Sequence, residues 1–383
     1  MDWNFLIRNR ESLYVTTDSR KVTPGCIFIA LKGEHFDGND FVDQARRDGA
    51  EYIISGENAL AQLQDLARAW RRELGLPILA ITGTNGKTTT KELTAAVLAT
   101  QFEIYYTQGN LNNQIGVPLT LLSITRAHKM AIVEMGASHP GDIKELVDIA
   151  EPNFGLITNV GRAHLEGFGS FEGVMRTKAE LYDYLRAHGG FCFRNTDNTY
   201  LAQMAGDLKT VPYQTGVMPE GTHLVGGYNA ENVSAALCIG EYFGVPRDKG
   251  LEAVRAYVPS NNRSQWMQTE KNTVVVDAYN ANPTSMAAAI NAFKGDTYIL
   301  GAMRELGEYS HLEHQNIVNM LLERKADTVL LVGKEYADTT APYPVLDDVN
   351  ALCAYLNEHP LENKHILLKG SRSNQLEKVI PLL

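Results

Sequence analysis

Cysteine is sparse in this chain. Cys26, Cys192, Cys238 and Cys353 are the four in 383 residues, and no two stand in CxxC spacing. Together with an N-terminus, MDWNFLIRNR, that has no long apolar core of the signal-peptide kind, this predicts free thiols and a cytosolic chain. No apolar run approaches the roughly 18 residues of a membrane span, which excludes a helical integral membrane protein. Positive charge is also short: 35 Lys and Arg against 45 Asp and Glu leave a net charge of -10. That balance argues against a nucleic-acid binder working by bulk attraction, while leaving room for a local basic pocket that takes an anionic small molecule. Repeats and low-complexity segments are missing as well. What is there is ordinary globular composition, 44% hydrophobic and 21% charged, in a chain too long for one core. Two or three domains are expected, and with no exposed apolar stripe the expected state is a monomer.

The most informative stretch is Pro77 to Thr90, PILAITGTNGKTTT. Ile78 to Ile81 reads as a buried strand, which breaks into Gly83, Thr84, Asn85 and Gly86 before Lys87, Thr88, Thr89 and an amphipathic helix through Leu98. Glycines allow a tight turn whose amide groups and following helix N-terminus face an anion. A lysine adds charge, and a hydroxyl can reach Mg2+. The fit to GxxxxGK[ST] is incomplete, because Ile81 stands where that pattern has its first glycine. A strand, a glycine-rich turn and a helix can also be plain α/β connection chemistry, but Lys and Thr directly after the glycine sharpen the signal.

Upstream, Cys26–Leu31 and Tyr52–Ser55 read as strands around a helix at Asn39–Gly49. Asn58–Leu74 carries a helical apolar stripe that stops at Gly75-Leu76-Pro77. This predicts a small α/β N-terminal domain over residues 1–75. Downstream, strands at Phe102–Tyr106, Met130–Met135, Phe154–Val160 and Gly190–Arg194 alternate with helices near Val117–Ser123, Asp142–Ile149 and Phe171–Arg186. Alternation of this kind predicts a doubly wound parallel sheet, here a central P-loop domain over residues 76–257, with ligands at the carboxyl ends of its strands. Strands at Thr273–Val276, Thr297–Leu300, Thr328–Val332 and His365–Leu368, with helices from Thr284, His311 and Asp347, predict a Rossmann-like C-terminal domain over residues 258–383 that forms a second wall of a cleft.

Several polar residues fall at those strand ends. Glu134 closes the apolar strand AIVEM, so its carboxylate must be solvated, paired or bound to metal, and with the Thr88 hydroxyl it suits a hard cation. His164 alone reads as a polar contact beside a turn, and Lys178 alone as an exposed helix lysine. Ser19-Arg20 and Lys32-Gly33 read as solvated turn residues. What favours a site is the joint arrangement of Lys87, Thr88, Glu134, His164 and Lys178 at one sheet edge.

Five segments go further: ITGTNGKTTTKE, TQGNLNNQIGVPLTLL, AHLEGFGS at 163–170, VVDAYNANPTSM at 275–286 and LLKGSRS near the C-terminus. Together they resemble the Mur ligases, over about Asp18 to Ile380, and within them the branch that joins D-alanyl-D-alanine to UDP-N-acetylmuramoyl-tripeptide in peptidoglycan synthesis. The resemblance implies ATP in the cleft between the central and C-terminal domains. Gly83, Thr84, Asn85, Gly86, Lys87, Thr88 and Thr89 would hold its phosphates, Asn232 would meet the adenine, and Arg263 and Asp277 the triphosphate and ribose side. Thr88 and Glu134 would bind one Mg2+; His164, Glu134 and a carbamylated Lys178 a second. Ser19, Arg20, Lys32 and Gly33 would cradle the UDP end, Asn110, Asn112 and Asn113 the muramoyl-peptide, and Asn280, Lys369, Ser371 and Arg372 the reacting ends. Ligation would pass through an acyl phosphate, with no nucleophilic Ser or Cys.

This sequence departs from the family pattern in three places. The interval Arg194–Gly227 is short, with room for one helix and two short strands; Ala302 stands where an Asp is usual; and Asn39 stands where a His is common. These departures keep open a nucleotide-binding paralogue that does not complete ligation. A related amide ligase, such as another Mur ligase or a folylpolyglutamate synthase, is also left open, with the N-terminal domain and GNLNN favouring the UDP-linked peptide.

Overall fold

The computed structural model describes residues 3–259 and 262–383, and three separate sheets organise them. The first has three parallel strands in order, β1 (Val15–Thr16), β2 (Ile27–Ile29) and β3 (Tyr52–Ile54). The second contains β4 (Ile78–Thr82), β5 (Ile104–Tyr106), β6 (Met130–Glu134), β7 (Phe154–Ile157), β8 (Phe191–Asn195) and β9 (Thr210–Tyr213), all parallel, in the order β5-β6-β4-β7-β8-β9. The third contains β10 (Gln265–Gln268), β11 (Thr273–Asp277), β12 (Thr297–Gly301), β13 (Thr328–Val332), β14 (Val345–Leu346) and β15 (His365–Lys369), in the order β10-β11-β15-β12-β13-β14. Only its edge strand β10 runs antiparallel.

The pleat of β4 explains the layering of the central sheet. Ile78 and Ala80 face a core shared with helices Ala59–Leu74, Gly116–Leu122, Asp142–Ala150 and Phe171–Ala187. Leu79 and Ile81 face the opposite core, built with Lys87–Ala99, Asn229–Tyr242 and Arg247–Ala256. A sheet covered on both faces needs continuous apolar strands, which is how ILAIT and MAIVE read. β4 is also where strand order reverses, with β6 and β5 on one side and β7, β8 and β9 on the other. Its carboxyl end is therefore a topological switch point, the usual ligand crevice of such sheets.

The N-terminal sheet does not stand apart. Leu63, Leu66, Ala67 and Trp70 of helix Ala59–Leu74 belong to the same core as Val117, Leu121, Ile143 and Val147 of the central layer. Trp70 Nε1 donates to Ile124 O at 2.9 Å, and the buried Arg71 donates to Ala150 O at 3.1 Å and to Glu151 O at 2.9 Å. These last are orphan carbonyls at a helix C-terminus, where a cation is favoured.

Three short strands, β1, β10 and β14, are absent from the sequence expectation, and the 194–227 interval holds one strand rather than two. Its contents are helix Thr199–Ala205 and β9, with only a single bridge from Leu224 to Gln265 beyond them.

Candidate active site in the cleft between the two large sheets

The turn after β4 is held from beneath by the end of β7. Asn85 N donates to Asn159 Oδ1 at 3.0 Å, Thr84 N to Asn159 O at 2.9 Å, and Thr158 Oγ1 to Asn85 O at 2.6 Å. Gly83 fits because a Cβ there would stand 2.0 Å from Thr158 Oγ1. Gly86, at φ +79, opens helix Lys87–Ala99, and a Cβ on it would lie 2.4 Å from Asn232 Oδ1. The outcome is a helix N-terminus presented at the sheet's switch point, a geometry that favours anions. Lys87 arches over the turn, its Nζ donating to Gly83 O at 2.8 Å and Thr84 O at 3.0 Å; burial pushes its ammonium below the usual lysine range.

Glu134 sits beside this turn at the end of β6, paired in register with Ile81 and 2% exposed. Its Oε1 accepts from Thr88 Oγ1 at 3.2 Å and from Asn112 Nδ2 at 2.9 Å. Oε2 is buried with no hydrogen-bond partner among the described residues, and Lys91 Nζ lies 3.8 Å away. A buried, incompletely satisfied carboxylate oxygen next to a threonine hydroxyl fits a hard divalent cation that takes its other ligands from phosphates and water. Among the described residues no three His, Cys, Asp or Glu side chains gather to form a metal cage on their own.

His164 faces the same cleft from the start of helix Leu165–Phe168, and its Nδ1 meets the carboxylate of Glu305. Lys178, expected at a second cation, is 2% exposed rather than an exposed helix lysine and does not line the cleft: Phe171–Ala187 turns it inward, with its Nζ 5.5 Å from the Phe168 ring centre. Burial, reinforced by the nearby Lys87, pushes its amine well below the usual range.

The C-terminal sheet supplies the facing wall. Asp277 and Lys369 pair at the carboxyl ends of β11 and β15, with Nζ 2.6 Å from Oδ2; Lys369 also donates to Asn280 O at 3.2 Å. The Arg263 guanidinium lies 3.8 Å over the Tyr279 ring. Ser264 N donates to Asp277 Oδ1 at 3.2 Å, and its hydroxyl lies 2.7 Å from Tyr228 OH. Ser371 is buried nearby and Arg372 reaches toward Tyr279, though neither lines the cleft. Across the gap, Asn282 Nδ2 donates to Asn85 Oδ1 at 2.8 Å. The cleft measures about 800 Å³ and brings Lys87, Thr88, Thr89, Glu134, His164, Asn232, Arg263, Asp277, Asn280 and Lys369 to one volume.

Some expected contacts have other occupations. Asn232, expected at the adenine, accepts from Thr90 Oγ1 at 3.0 Å and donates to Asn229 Oδ1 at 2.9 Å, which seats it behind Gly86. Asn110, Asn112 and Asn113 line the cleft, but Asn112 spends its amide on Glu134 and Asn113 Oδ1 accepts from Gly116 N at 2.9 Å, at the start of helix Gly116–Leu122. In the N-terminal domain, Ser19 and Arg20 line a second hollow of about 330 Å³ with Phe28, Phe36 and Phe41. Lys32 instead lies 3.7 Å from Asp37, and Gly33 backs onto the Phe36 ring; neither lines that hollow. Asn39 donates to Asp37 within its own loop and accepts from Gly56 N in the loop after β3.

Asn159, Lys91, Asn282 and Glu305 escaped the sequence reading. Asn159 ends the strand ITN beside the turn and carried a positional signal. The other three act through contacts far along the chain, for which a local pattern holds no trace.

Comparison with known proteins matches nearly the whole chain to one family. Three family models match in succession: "Mur ligase family, catalytic domain" over residues 14–99, "Mur ligase middle domain" over 81–221, and "Mur ligase, glutamate ligase domain" over 262–372. The UDP-N-acetylmuramoyl-tripeptide–D-alanyl-D-alanine ligase of Escherichia coli (strain K12) is 34% identical over 423 residues, covering 96% of this chain and 93% of that protein. Its counterpart in Bacillus subtilis (strain 168) is 32% identical over 424 residues, covering 96% and 92%. Among solved structures, MurF ligase from Thermotoga maritima in complex with ADP superposes with a TM-score of 0.87 at 26% identity, covering 98% of each chain. A MurF structure from Acinetobacter baumannii gives 0.85 at 27%, covering 96% and 92%. With better than 30% identity over nearly its whole length to such relatives, and family models that follow one another from residue 14 to residue 372, the chain belongs to the Mur ligase family.

Proposed function

We propose that this chain is an ATP-dependent ligase that joins D-alanyl-D-alanine to UDP-N-acetylmuramoyl-tripeptide, a step of peptidoglycan precursor synthesis. The observation that carries the reading is the phosphate turn with Lys87, Thr88 and Glu134 intact, in one cleft walled by both large sheets, in a chain 32–34% identical to ligases of that name. We divide the chain into residues 1–75 for the UDP end, 76–257 for ATP and 258–383 for the closing wall.

In this reading, the backbone from Gly83 to Thr89 and Lys87 hold the ATP phosphates, and the Asp277–Lys369 pair and Arg263 face the nucleotide from the other side. Thr88 and Glu134 would hold Mg2+, with His164 and Lys178 toward a second ion; the orphan Glu134 Oε2 supports the first assignment. Bound there, Mg2+ would offset charge on the transferring phosphoryl group. The peptide carboxylate attacks the γ-phosphorus, the bond to the bridging oxygen breaks and ADP departs, leaving an acyl phosphate; the D-alanyl-D-alanine amine then attacks the acyl carbon, losing a proton and expelling inorganic phosphate. The chain's own part is to position both ends and exclude water. Depression of the Lys178 amine supports carbamylation, since the neutral amine is the form that reacts with carbon dioxide. Ser19 and Arg20 bind the UDP end, and Asn110 the muramoyl-peptide. No helix among the described residues is long and apolar enough to cross a membrane; a cytoplasmic monomer acting on soluble precursors is the matching cellular reading.

Phosphate release from ATP and Mg2+ with UDP-N-acetylmuramoyl-tripeptide, measured with and without D-alanyl-D-alanine, tests the reading. Release that needs both substrates and vanishes in Lys87→Ala is expected. Silence from a folded protein that still binds ATP would overturn it.

A further inference from the structure

One loop of the central sheet, residues 161–166, is gripped by three elements of the C-terminal domain. Gly161 approaches Thr284 closely, and Arg162 N donates to Thr284 Oγ1 at 3.1 Å, at the start of helix Pro283–Ala292. Arg162 Nη1 donates to Glu313 Oε1 at 2.9 Å; Glu313 is 4% exposed and lies on helix Ser310–Glu323. The third grip is Glu305, in the loop after β12. Its backbone carbonyl accepts from Glu166 N at 3.3 Å, its carboxylate meets His164 Nδ1, and Gly307 two residues on packs against Glu166.

His164 and Glu305 both hold left-handed backbone, at φ 49 and φ 60. A residue with a side chain adopts that region at a cost of about 1–2 kcal/mol, so two of them facing each other across a domain boundary are held there by the surrounding contacts. With Nδ1 on a carboxylate, the neutral imidazole carries its proton on Nδ1, which leaves the Nε2 lone pair without a hydrogen bond among the described residues. His164 lines the cleft.

We propose that Glu305 is a positioning residue for His164: reaching across from the C-terminal domain, it fixes the ring and its tautomer so that Nε2 presents a lone pair to the cation site. The proposal rests on the ligase reading only in assigning His164 to that site. Its consequence is that the central domain completes its site only when the C-terminal domain is seated, which ties cation capture to the closed cleft. A carboxylate that orients a ligating histidine commonly changes metal affinity by 10–100-fold when removed.

The test uses the full chain and Mn2+ as the probe. Free Mn2+ is followed by electron paramagnetic resonance in the presence of saturating ADP, for wild type, Glu305→Ala, Glu305→Gln, His164→Ala and the double alanine variant. Long-range 1H–15N spectra report the His164 tautomer, assigned by its loss in His164→Ala. Glu305→Ala should weaken Mn2+ about tenfold or more and release the Nδ1–H tautomer. Glu305→Gln, whose amide oxygen still accepts from Nδ1–H, should keep the tautomer and most of the affinity, and the double variant should bind no worse than His164→Ala. Unchanged Mn2+ affinity in Glu305→Ala, or additive losses in the double variant, would overturn the proposal. Neither readout involves turnover, so an inactive wild type that passes both tests sinks the ligase reading and leaves the positioning role standing. Thermal unfolding confirms that each variant is folded; if Glu305→Ala does not fold, the Gln variant carries the test, and loss of the tautomer there refutes it.

Discussion

Gly86→Ala tests how the phosphate turn is built, and Gly75→Ala is its internal control. Both glycines hold left-handed backbone, at φ +79 and φ +62, but a Cβ on Gly75 meets nothing within 4 Å while one on Gly86 stands 2.4 Å from Asn232 Oδ1. The backbone term is about 1–2 kcal/mol, offset by about 0.4–1 kcal/mol from the stiffer unfolded chain, so Gly75→Ala should cost about 1 kcal/mol. Gly86→Ala adds a displaced amide. Asn232 accepts from Thr90 Oγ1 at 3.0 Å and donates to Asn229 Oδ1 at 2.9 Å, all three residues being buried. Leaving one of those groups unpaired costs about 1–3 kcal/mol, for a total of about 2–4 kcal/mol.

Urea unfolding of each variant gives the energies, and an ADP titration gives the functional consequence. Gly86→Ala should weaken ADP because the helix N-terminus shifts with the turn, whereas Gly75→Ala, at the end of helix Ala59–Leu74, should leave ADP binding alone. Asn232→Ala combined with Gly86→Ala removes the obstructing oxygen, so the pair should be less destabilised than the sum of its parts. Equal losses at the two glycines, or strict additivity in the double variant, would refute the account.

Three further outcomes follow from buried groups. Ala302→Asp should destabilise: the fully buried Ala302 Cβ and the hydrogen-bond-free Glu335 Oε2 lie 2.6 and 2.9 Å from the point where a Cβ would stand on Gly333. A second carboxylate would therefore be placed beside that of Glu335, whose other oxygen already takes the Arg304 guanidinium. A loss of about 2–4 kcal/mol is expected in thermal unfolding, and an unchanged Tm would sink the idea. His314 is buried, with Nε2 accepting from Met303 N at 3.0 Å and Nδ1 2.7 Å from Ser310 O, and burial lowers its pKa below the ordinary 6.5. A depressed histidine contributes stability that is full above about 6.5 and is lost as pH falls from there toward the folded value, because the unfolded chain takes the proton first. His314→Gln should therefore flatten the fall in Tm between about pH 7.5 and 5; parallel curves would count against it. Burial raises the Cys192 thiol to about 11, and Cys26 is fully buried, so iodoacetamide at neutral pH should mark Cys353 first and both buried thiols only after unfolding, as read by peptide mass mapping.

What the sequence revealed follows from where the determining contacts lie. β4, β6 and β13 were legible because strands buried on both faces must be apolar throughout. β10, by contrast, reads QWMQ, with Trp266 half exposed, and is a strand only because β11 pairs with it. The turn and Glu134 were legible because chemistry and geometry share one contiguous motif or one strand end. Lys178 was not: its helix shows a lysine among polar neighbours, and the burial comes from the folded surroundings, with Phe168 ten residues upstream packed against it. Asn85 and Asn282, 197 residues apart, join the two walls by a contact with no local signature.

The short 194–227 interval illustrates the same division from the opposite side. An alignment of 424 positions with the Bacillus subtilis relative exceeds the 383 residues of this chain, so the relative carries segments this chain lacks. In the structure the interval contains β9, the outer strand of the central sheet, where Pro212 pairs in register with Arg194. A proline suits an edge strand because one side of it needs no backbone donor. Among the described residues the cleft is lined up to His164 and again from Tyr228, with nothing between. Shortening a connection changes closure entropy only slightly, about 0.6 kcal/mol for each halving, so a deletion at that edge costs little. What the interval still has to do is deliver helix Asn229–Tyr242 onto helix Lys87–Ala99. The Leu224–Gln265 bridge and the Tyr228–Ser264 hydroxyl contact set its approach, and Gly240 lets it close on Val97. Once that helix is seated, Asn232 stands behind Gly86, and the turn has the support it needs whatever the length of chain that led there.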